Sequence, residues 1–331
     1  MTEKTVGALV GSAEKIVIIQ ADNPDGDSLA SSLALEAIFS EMGKQVFMYC
    51  GVDMPSYLRY MNGWDRVSRN LPENFELSVI VDTNSLLLLE NLQKTGEIKW
   101  LKTKPCIIID HHSTETTIDF ASVEYIAPAV STGELIYGLA KEYDWAIPLD
   151  GAQFIVYSIL SDSLGLISES TSSDSVRIVA ELMDRGVSLA ALDAKRKEFQ
   201  KKHPELLGYK GNLLKRVAYS DSGKIAYISI PWEEIEKYSP LYNPSVLVID
   251  EMRQVEGVKV AIAFKNYPDG RITAKLRSNY GYPVCAAVAE QFGGGGHPYA
   301  SGFRVTDGKS LGEVQEKCFK LIDEELAKSE K

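Results

Sequence analysis

Short apolar segments without polar alternation recur through the first half of the chain. Four of them are brief and rich in β-branched residues: 16–19, 46–49, 78–81 and 107–109. Uninterrupted apolar runs of this length are typical of strands that are buried on both faces of a sheet. The pattern therefore predicts a buried sheet in this half of the protein.

Helical periodicity separates these predicted strands. Residues 28–44 carry apolar side chains at helical spacing, and Gly43 stands where a helix end favours a left-handed residue. A second helix is predicted to begin at Ser131, because Ser131 and Glu134 have the spacing of a capping box. Strands that alternate with helices predict an α/β fold with a doubly wound, mostly parallel sheet.

The pattern changes in the second half. A charged helical stretch near 188–210 is followed by hairpin-like segments at 224–230 and 245–278, with turn residues at 268–270. A glycine run and an amphipathic helix from about Ser310 complete the chain. We therefore predict a catalytic domain at 1–187, a helical linker at 188–210 and a smaller, mixed α/β substrate-binding domain at 211–331.

Composition narrows the class of protein. The length of 331 residues suits two domains, and a net charge of −11 argues against a protein that binds long duplex nucleic acid. No apolar run approaches a membrane span, and the N-terminus lacks a signal-peptide pattern, so we expect a cytoplasmic protein without a membrane partner. The four cysteines lack metal-binding spacing, and three of them lie in apolar runs, where we expect reduced core cysteines.

Acidic and imidazole side chains follow the predicted strands, at the edge where parallel sheets bind ligands. Each group alone could be a turn or a helix cap. Together they predict a divalent-cation site, because crowded carboxylates need neutralising charge, and this donor set suits Mn²⁺ or Mg²⁺. An extended conformation would point the first two carboxylates to the same side. The groups are Asp25 and Asp27, Asp82, Asp110 with His111 and His112, and Asp162.

These motifs, in this order, resemble the DHH phosphoesterase family, and the segment 293–303 with Lys275–Ser278 ahead of it resembles the DHH-associated domain. The resemblance implies that Asp110 orients a histidine and that His112 faces the scissile phosphate. It further implies one or two metal ions, with Mn²⁺ expected and Asp82 as a bridging ligand. The implied metal ligands are Asp25, Asp27, Asp82, His111 and Asp162.

One position departs from the family pattern. Members close to this arrangement have His two residues before the Asn-Pro-Asp motif, whereas this chain has Ala21. The first metal site is therefore expected to be built differently. Gln20 and Asp22 flank the position and either could substitute.

The glycine run is interpreted in two ways. Four successive glycines allow backbone N–H groups to approach an anion closely, whereas a helix terminator needs only one. Arg277 is either a phosphate or base contact or a solvated charge at a strand end. The resemblance favours substrate binding, by Arg277, Ser278, Gly294, Gly295, Gly296, His297 and Ser301.

The resemblance implies a hydrolase that acts in the cleft between its domains, by attack of a metal-bound hydroxide on phosphorus. Its expected substrates are short oligoribonucleotides, linear dinucleotides such as pApA, and 3′-phosphoadenosine 5′-phosphate. A cyclic-di-AMP phosphodiesterase and a polyphosphatase remain alternatives. Ala21 motivates a further alternative of another class, a non-catalytic nucleotide sensor. An apolar sheet edge leaves a homodimer open.

Overall fold

The structure is a computed structural model that describes residues 5–329. The chain divides into two compact units, Met1–Gln200 and Lys201–Lys331. The predicted linker includes one helix of the first unit and most of the first helix of the second. The predicted boundaries at 187/188 and 210/211 stay predictions.

The first unit contains a six-stranded, entirely parallel sheet. The spatial order is β3-β2-β1-β4-β5-β6. All four strands predicted from the apolar runs are confirmed, and β3 and β6 are additional. The strands are β1 Lys15–Ile19, β2 Gln45–Tyr49, β3 Val67–Ser68, β4 Leu77–Val81, β5 Cys106–Asp110 and β6 Val123–Ile126.

Helices cover both faces of this sheet, which confirms the doubly wound α/β prediction. Ile16 and Ile18 of β1 pack in one apolar cluster, and Val17 and Ile19 pack in another on the opposite face. This division follows from the alternation of side chains along a strand. The helices are α1 Val6–Ser12, α2 Gly26–Glu41, α3 Glu90–Thr95, α4 Ile98–Lys102, α5 Thr132–Glu142, α6 Leu149–Asp162, α7 Ser173–Asp184 and α8 Leu189–Phe199.

Close packing of α2 on α6 brings the N-terminus of α2 to the C-terminus of α6. A Cβ atom on Gly26 would lie 2.2 Å from Oγ of Ser161, so only glycine allows this approach without a shift. At the other end of α2, Gly43 adopts a φ of 77°, as the helix-end pattern predicts. The approach places Asp27 and Asp162 on neighbouring helix ends.

The second unit contains a mixed sheet of order β11-β12-β10-β9-β8-β7, in which only β8 and β9 pair in parallel. The hairpin predicted at 268–270 is confirmed between β9 and β10. The elements are α9 Pro204–Leu214, β7 Ala218–Tyr219, β8 Ile225–Ile230, α10 Trp232–Tyr238, α11 Pro244–Arg253, β9 Val260–Asn266, β10 Ile272–Ser278, α12 Cys285–Glu290, β11 Gly295–His297, β12 Ala300–Val305 and α13 Leu311–Ser329.

The hairpin-like interpretation of residues 245–253 is wrong, because they lie within α11. The Asn243 side chain accepts a hydrogen bond from the Ser245 N–H at 3.1 Å, and Pro244 occupies the first helical turn. An Asn cap followed by Pro is a helix-start signal, and here it outweighs the β-branched residues.

Two expectations from composition concern the whole chain. All four cysteines are buried and unpaired, which agrees with the prediction for the three in apolar runs. Within residues 5–329, every helix is too short or too polar to span a lipid bilayer.

Candidate metal and catalytic site

Three carboxylates surround one imidazole nitrogen at the carboxyl edge of the parallel sheet. Nε2 of His111 lies 3.6 Å from Oδ2 of Asp27, 3.5 Å from Oδ1 of Asp82 and 3.4 Å from Oδ2 of Asp162. These residues come from the first turn of α2, the ends of β4 and β5, and the end of α6. The fold thus brings together four of the five predicted metal ligands.

The tautomer of His111 decides what this arrangement can bind. Its Nδ1 lies 3.3 Å from the carbonyl oxygen of Ala129, which can only accept, so Nδ1 carries the proton. The lone pair of the buried Nε2 then faces three carboxylates, and this atom has no hydrogen-bond partner among the described residues. Ligand atoms that share one ion at about 2.1 Å lie roughly 3–3.5 Å apart. The donor set therefore fits a divalent cation.

The carboxyl groups also have strongly perturbed acidity. Burial raises the pKa of Asp82 well above its ordinary value, and the charges of Asp27, Asp25, Asp162 and Asp110 raise it further. Burial, followed by the charges of Asp27 and Asp25, raises the pKa of Asp162 to about 8. Without a cation, these groups retain protons that an ordinary aspartate releases.

Asp27 is held rigidly by three donors. Its Oδ1 accepts hydrogen bonds from the hydroxyls of Ser31 at 2.8 Å and Ser158 at 2.5 Å, and its Oδ2 accepts from the Thr132 N–H at 2.8 Å. The Thr132 hydroxyl also donates to Oδ1 of Asp82 at 3.3 Å. Sequence reasoning missed Ser158 and Thr132, because they lie in helices more than a hundred residues from Asp27 and carry no motif.

The predicted capping box at Ser131 and Glu134 is wrong. Oγ of Ser131 instead lies 2.8 Å from Oγ of Ser158. The Glu134 carboxylate accepts from the Val130 N–H at 3.2 Å and from the Ser175 hydroxyl at 2.8 Å. Ser131 is the N-cap residue of α5, but its side chain and that of Glu134 contact α6 and α7 and do not form the reciprocal bonds of a capping box.

Asp25 lies outside the ligand cluster. The expected extended segment is wrong, because Asp25 is the N-cap of α2, and its Oδ1 accepts from the N–H groups of Asp27 and Ser28, both at 3.0 Å. It belongs to neither group of ligand atoms that lie within 4.8 Å of one another. Its role as a metal ligand stays a prediction.

Asp110 and His112 form a second pair beside the cluster. The fully buried Asp110 accepts from Nδ1 of His112 at 2.7 Å and from the His112 N–H at 3.2 Å. This hydrogen bond raises the pKa of His112, whose side chain is half exposed. The geometry leaves Nε2 of His112 available for a ligand.

The position of Ala21 contains no replacement imidazole. Asp22 accepts from the Asn91 N–H at 2.8 Å, and Gln20 is fully buried without a hydrogen-bond partner for its amide among the described residues. Neither belongs to the groups of potential metal ligands.

The predicted substrate-binding residues divide between the two faces of the second sheet. Arg277 and His297 share one face, because Ala300 of β12 is the register partner of both. Ser278 and Ser301 lie on the other face and are buried, and the Ser301 hydroxyl donates to the Cys285 carbonyl at 2.6 Å. The structure therefore does not bring the two serines together with Arg277.

Local backbone geometry explains why glycine is required at three of the four positions in the run. Gly293 adopts a φ of 71° after α12. A Cβ atom on Gly294 would lie 2.3 Å from the Gly302 oxygen, and one on Gly296 would lie 2.6 Å from the Ala300 oxygen. Gly295 differs from the other three, because a Cβ atom there would have open space among the described atoms and its φ lies outside the left-handed region. The length of the run therefore reflects the tight β11–β12 hairpin, and its role in binding stays a prediction.

The fold and the site together define a two-unit α/β protein with a carboxylate–imidazole centre on a parallel sheet. The DHH family, N-terminal domain, matches residues 15–159, and the DHHA1 domain matches residues 242–328. The chain therefore belongs to the DHH family of phosphoesterases, which confirms the resemblance noted from its motifs.

Relatives of known name span nearly the whole chain. It is 27% identical over 301 residues to the probable bifunctional oligoribonuclease and PAP phosphatase NrnA of Streptococcus mutans, covering 90% of this chain and 92% of that protein. It is 25% identical over 298 residues to the bifunctional oligoribonuclease and PAP phosphatase NrnA of Bacillus subtilis, covering 88% and 90%. An exopolyphosphatase-related protein from Bacteroides fragilis has the same fold, with a TM-score of 0.84, 22% identity and coverage of 98% and 96%.

Proposed function

We propose that this protein is a divalent-metal-dependent hydrolase of short phosphorylated nucleotides. Its substrates would be short oligoribonucleotides, linear dinucleotides such as pApA, and 3′-phosphoadenosine 5′-phosphate. The names of its relatives support this substrate class. The observation that carries the proposal is Nε2 of His111, which lies within 3.6 Å of three carboxylate oxygens and has no hydrogen-bond partner among the described residues.

The chemistry of the cluster supports a role in holding the ion. Asp27, Asp82, His111 and Asp162 would bind one divalent cation, and Asp25 would contribute to a second ion with Asp82. Mn²⁺ is the proposed ion and Mg²⁺ the alternative, because carboxylates with one imidazole suit both. When bound, such an ion stabilises charge on phosphoryl oxygens and lowers the pKa of water.

His112 would act on the reacting phosphate. The hydrogen bond from its Nδ1 to Asp110 fixes the ring and raises its pKa, so the imidazolium form persists to a higher pH. In that form Nε2 donates a hydrogen bond, which would stabilise negative charge on phosphate or protonate the leaving oxygen. Asp110 is then a positioning residue.

The second unit would hold the part of the substrate that is remote from the reacting phosphate. Arg277 and His297 lie on the same face, separated by the methyl side chain of Ala300. A guanidinium can bind phosphate through two parallel hydrogen bonds, and an imidazole can stack on a base. Binding energy from this remote contact would position the reacting group.

The test is release of mononucleotide from pApA with Mn²⁺, compared with 3′-phosphoadenosine 5′-phosphate, cyclic-di-AMP and inorganic polyphosphate. We expect turnover of the linear nucleotides that is lost with EDTA and in His111→Ala. His203→Ala is the matched control, because His203 is an exposed cap of α9. Preferred turnover of cyclic-di-AMP or of polyphosphate would replace the proposed substrate.

A second candidate function rests on Ala21. Because the neighbouring Gln20 and Asp22 do not join the cluster, a non-catalytic nucleotide sensor is the alternative. Tight binding of pApA with no turnover in Mn²⁺, Mg²⁺ or Co²⁺ would establish the sensor and refute the hydrolase.

A further inference from the structure

The second sheet has one face that is largely apolar and one face that combines apolar residues under α11 with cations. Residues on the first, such as Phe264, Leu276 and Phe303, belong to the apolar cluster of α12 and α13. The opposite face of β9, β10 and β12 carries four cations at alternating positions. Their placement on one face follows from the strand register: Lys265, Lys275, Arg277 and Arg304.

Small residues flank the two central cations. Lys275 lies between Ala263 of β9 and Gly302 of β12. Arg277 lies between Ala261 and Ala300 in the next row. The alanines of β9 are buried with α11, whereas Ala300 and Gly302 are partly exposed. The part of this face that α11 leaves exposed therefore lies at β12. It consists of small residues with cations beside them, and we call it the floor of small residues.

Few anions balance these cations. The positions of β8 to β12 on this face contain no carboxylate. The nearby Asp250 of α11 is already paired with Nε of Arg253 at 3.0 Å. No carboxylate among residues 5–329 lies within ion-pair distance of Lys275 or Arg277, and Arg277 donates only to the Leu276 carbonyl at 2.9 Å.

The acidity of these groups agrees with the geometry. Burial lowers the pKa of Lys275, and the charge of Arg277 lowers it further, whereas Asp250 opposes the change. Burial and the charge of Lys275 lower the pKa of Lys265, whose ammonium donates to Oδ1 of Asn243 at 2.8 Å. Half-buried like charges repel one another, and an anionic ligand would relieve that repulsion.

We propose that this face is a track for successive phosphates of a single-stranded oligonucleotide, with Lys275 binding the phosphate next to the one at Arg277. The inference rests on the proposed function. Cations two residues apart on one strand stand about 7 Å apart, a step comparable to one nucleotide of an extended strand. A ligand with a single phosphate engages only Arg277, two successive phosphates engage Arg277 and Lys275, and longer strands reach Lys265 and Arg304.

The test is the affinity of the full chain for a series of oligoadenylates. Dissociation constants for AMP, pApA, pApApA and the tetranucleotide are measured in EDTA, which prevents turnover. We expect Lys275→Gln to weaken pApA and the longer ligands about tenfold or more, as loss of a hydrogen bond to a charged group predicts, with little change for AMP. The salt dependence for the trinucleotide should also decrease by about one phosphate contact.

Two further variants sharpen the result. Lys320→Gln removes the same charge from α13, the helix of the opposite face, and should change no affinity in the series. Arg304→Gln removes an exposed cation of β12 and should weaken only the longest ligand. This variant also covers the case in which Lys275→Gln fails to fold.

Three results would overturn the inference. The first is an equal loss of affinity for all ligands in Lys275→Gln. The second is the same set of affinities in Lys275→Gln and Lys320→Gln. The third is that inorganic tripolyphosphate competes as well as the trinucleotide. Length-dependent binding without turnover in any metal would refute the proposed hydrolase and leave the track intact. Turnover of pApA, together with a loss of affinity in Lys275→Gln that does not depend on ligand length, would support the hydrolase and refute the track.

Discussion

The hydroxyl of Ser158, on α6, lies 2.5 Å from Oδ1 of Asp27, on α2. The Ser158 hydroxyl oxygen also accepts a hydrogen bond at 2.9 Å from the Gly133 N–H, at the start of α5. One serine thus links the three helices whose ends surround the candidate metal site. Because all of these atoms are buried, the position of the Asp27 carboxylate depends on helix packing and not on its own loop.

Removing this hydroxyl should affect both folding and metal binding. Ser158→Ala leaves the Gly133 N–H without a partner and removes one of the two donors to Oδ1 of Asp27, which should lower the free energy of unfolding by about 1–3 kcal/mol. Mn²⁺ affinity should fall about tenfold, as for other residues that orient metal ligands. Denaturant unfolding in EDTA and Mn²⁺ titration measure the two effects.

The control for this variant is Ser40→Ala, an exposed serine near the end of α2. It should change neither quantity. An unchanged Mn²⁺ affinity in Ser158→Ala would show that Asp27 is positioned without this contact.

The metal-free protein should lose stability as the pH rises. Asp162 has a pKa of about 8 in the folded protein and an ordinary value of 3.8, so between these values the unfolded chain has released a proton that the folded chain retains. Stability therefore falls from about pH 4 to pH 8, and Asp82 adds to the effect in the same direction. Melting temperatures in EDTA at several pH values measure this dependence.

Metal binding should reverse that loss and release protons. A divalent ion replaces the protons on Asp162 and Asp82, so calorimetry in buffers of different ionisation enthalpy should detect proton release at pH 7. Asp162→Asn should flatten the pH dependence of the melting temperature. An unaltered slope in that variant would contradict the assigned acidity of Asp162.

The pair of Asp110 and His112 should act as one unit. Asp110→Asn removes the acceptor that orients the imidazole and raises its pKa, so kcat for pApA should fall about 100-fold with little change in KM. His112→Ala should reduce kcat at least as much. In the double variant the loss should match His112→Ala alone, because Asp110 acts through His112. Losses that multiply in the double variant would refute this dependence.

The glycines of the hairpin should differ in their tolerance of a methyl group. Gly296 has a φ of 140°, and a Cβ atom there would lie 2.6 Å from the Ala300 oxygen, so Gly296→Ala should lower the free energy of unfolding by about 1–3 kcal/mol. Gly295→Ala is the matched control and should leave stability nearly unchanged, because its surroundings are open. A Gly295→Ala variant that folds normally but binds pApA weakly would indicate that the ligand approaches this backbone.

Much of the first unit could be predicted from the sequence. Each of the four predicted strands contains an apolar run of three or four residues, and local composition suffices to identify them. The segment 245–253 could not be assigned by the same reasoning, since its β-branched residues suit either structure and the Asn243–Pro244 cap decided in favour of a helix.

The amino-acid sequence by itself determined the family, the parallel α/β sheet and the edge at which Asp27, Asp82, His111 and Asp162 gather, because strand order places successive strand ends together. Only the tertiary structure decided which groups meet. It set Asp25 as a helix cap, recruited Ser158 and Thr132, and placed Lys275 beside Arg277 over a floor of small residues. The contacts of Asp27 with Ser158 and Thr132 join residues that are distant in the chain, and the small residues beside Lys275 and Arg277 come from other strands. Both features therefore depend on helix packing and strand register, which no local pattern encodes.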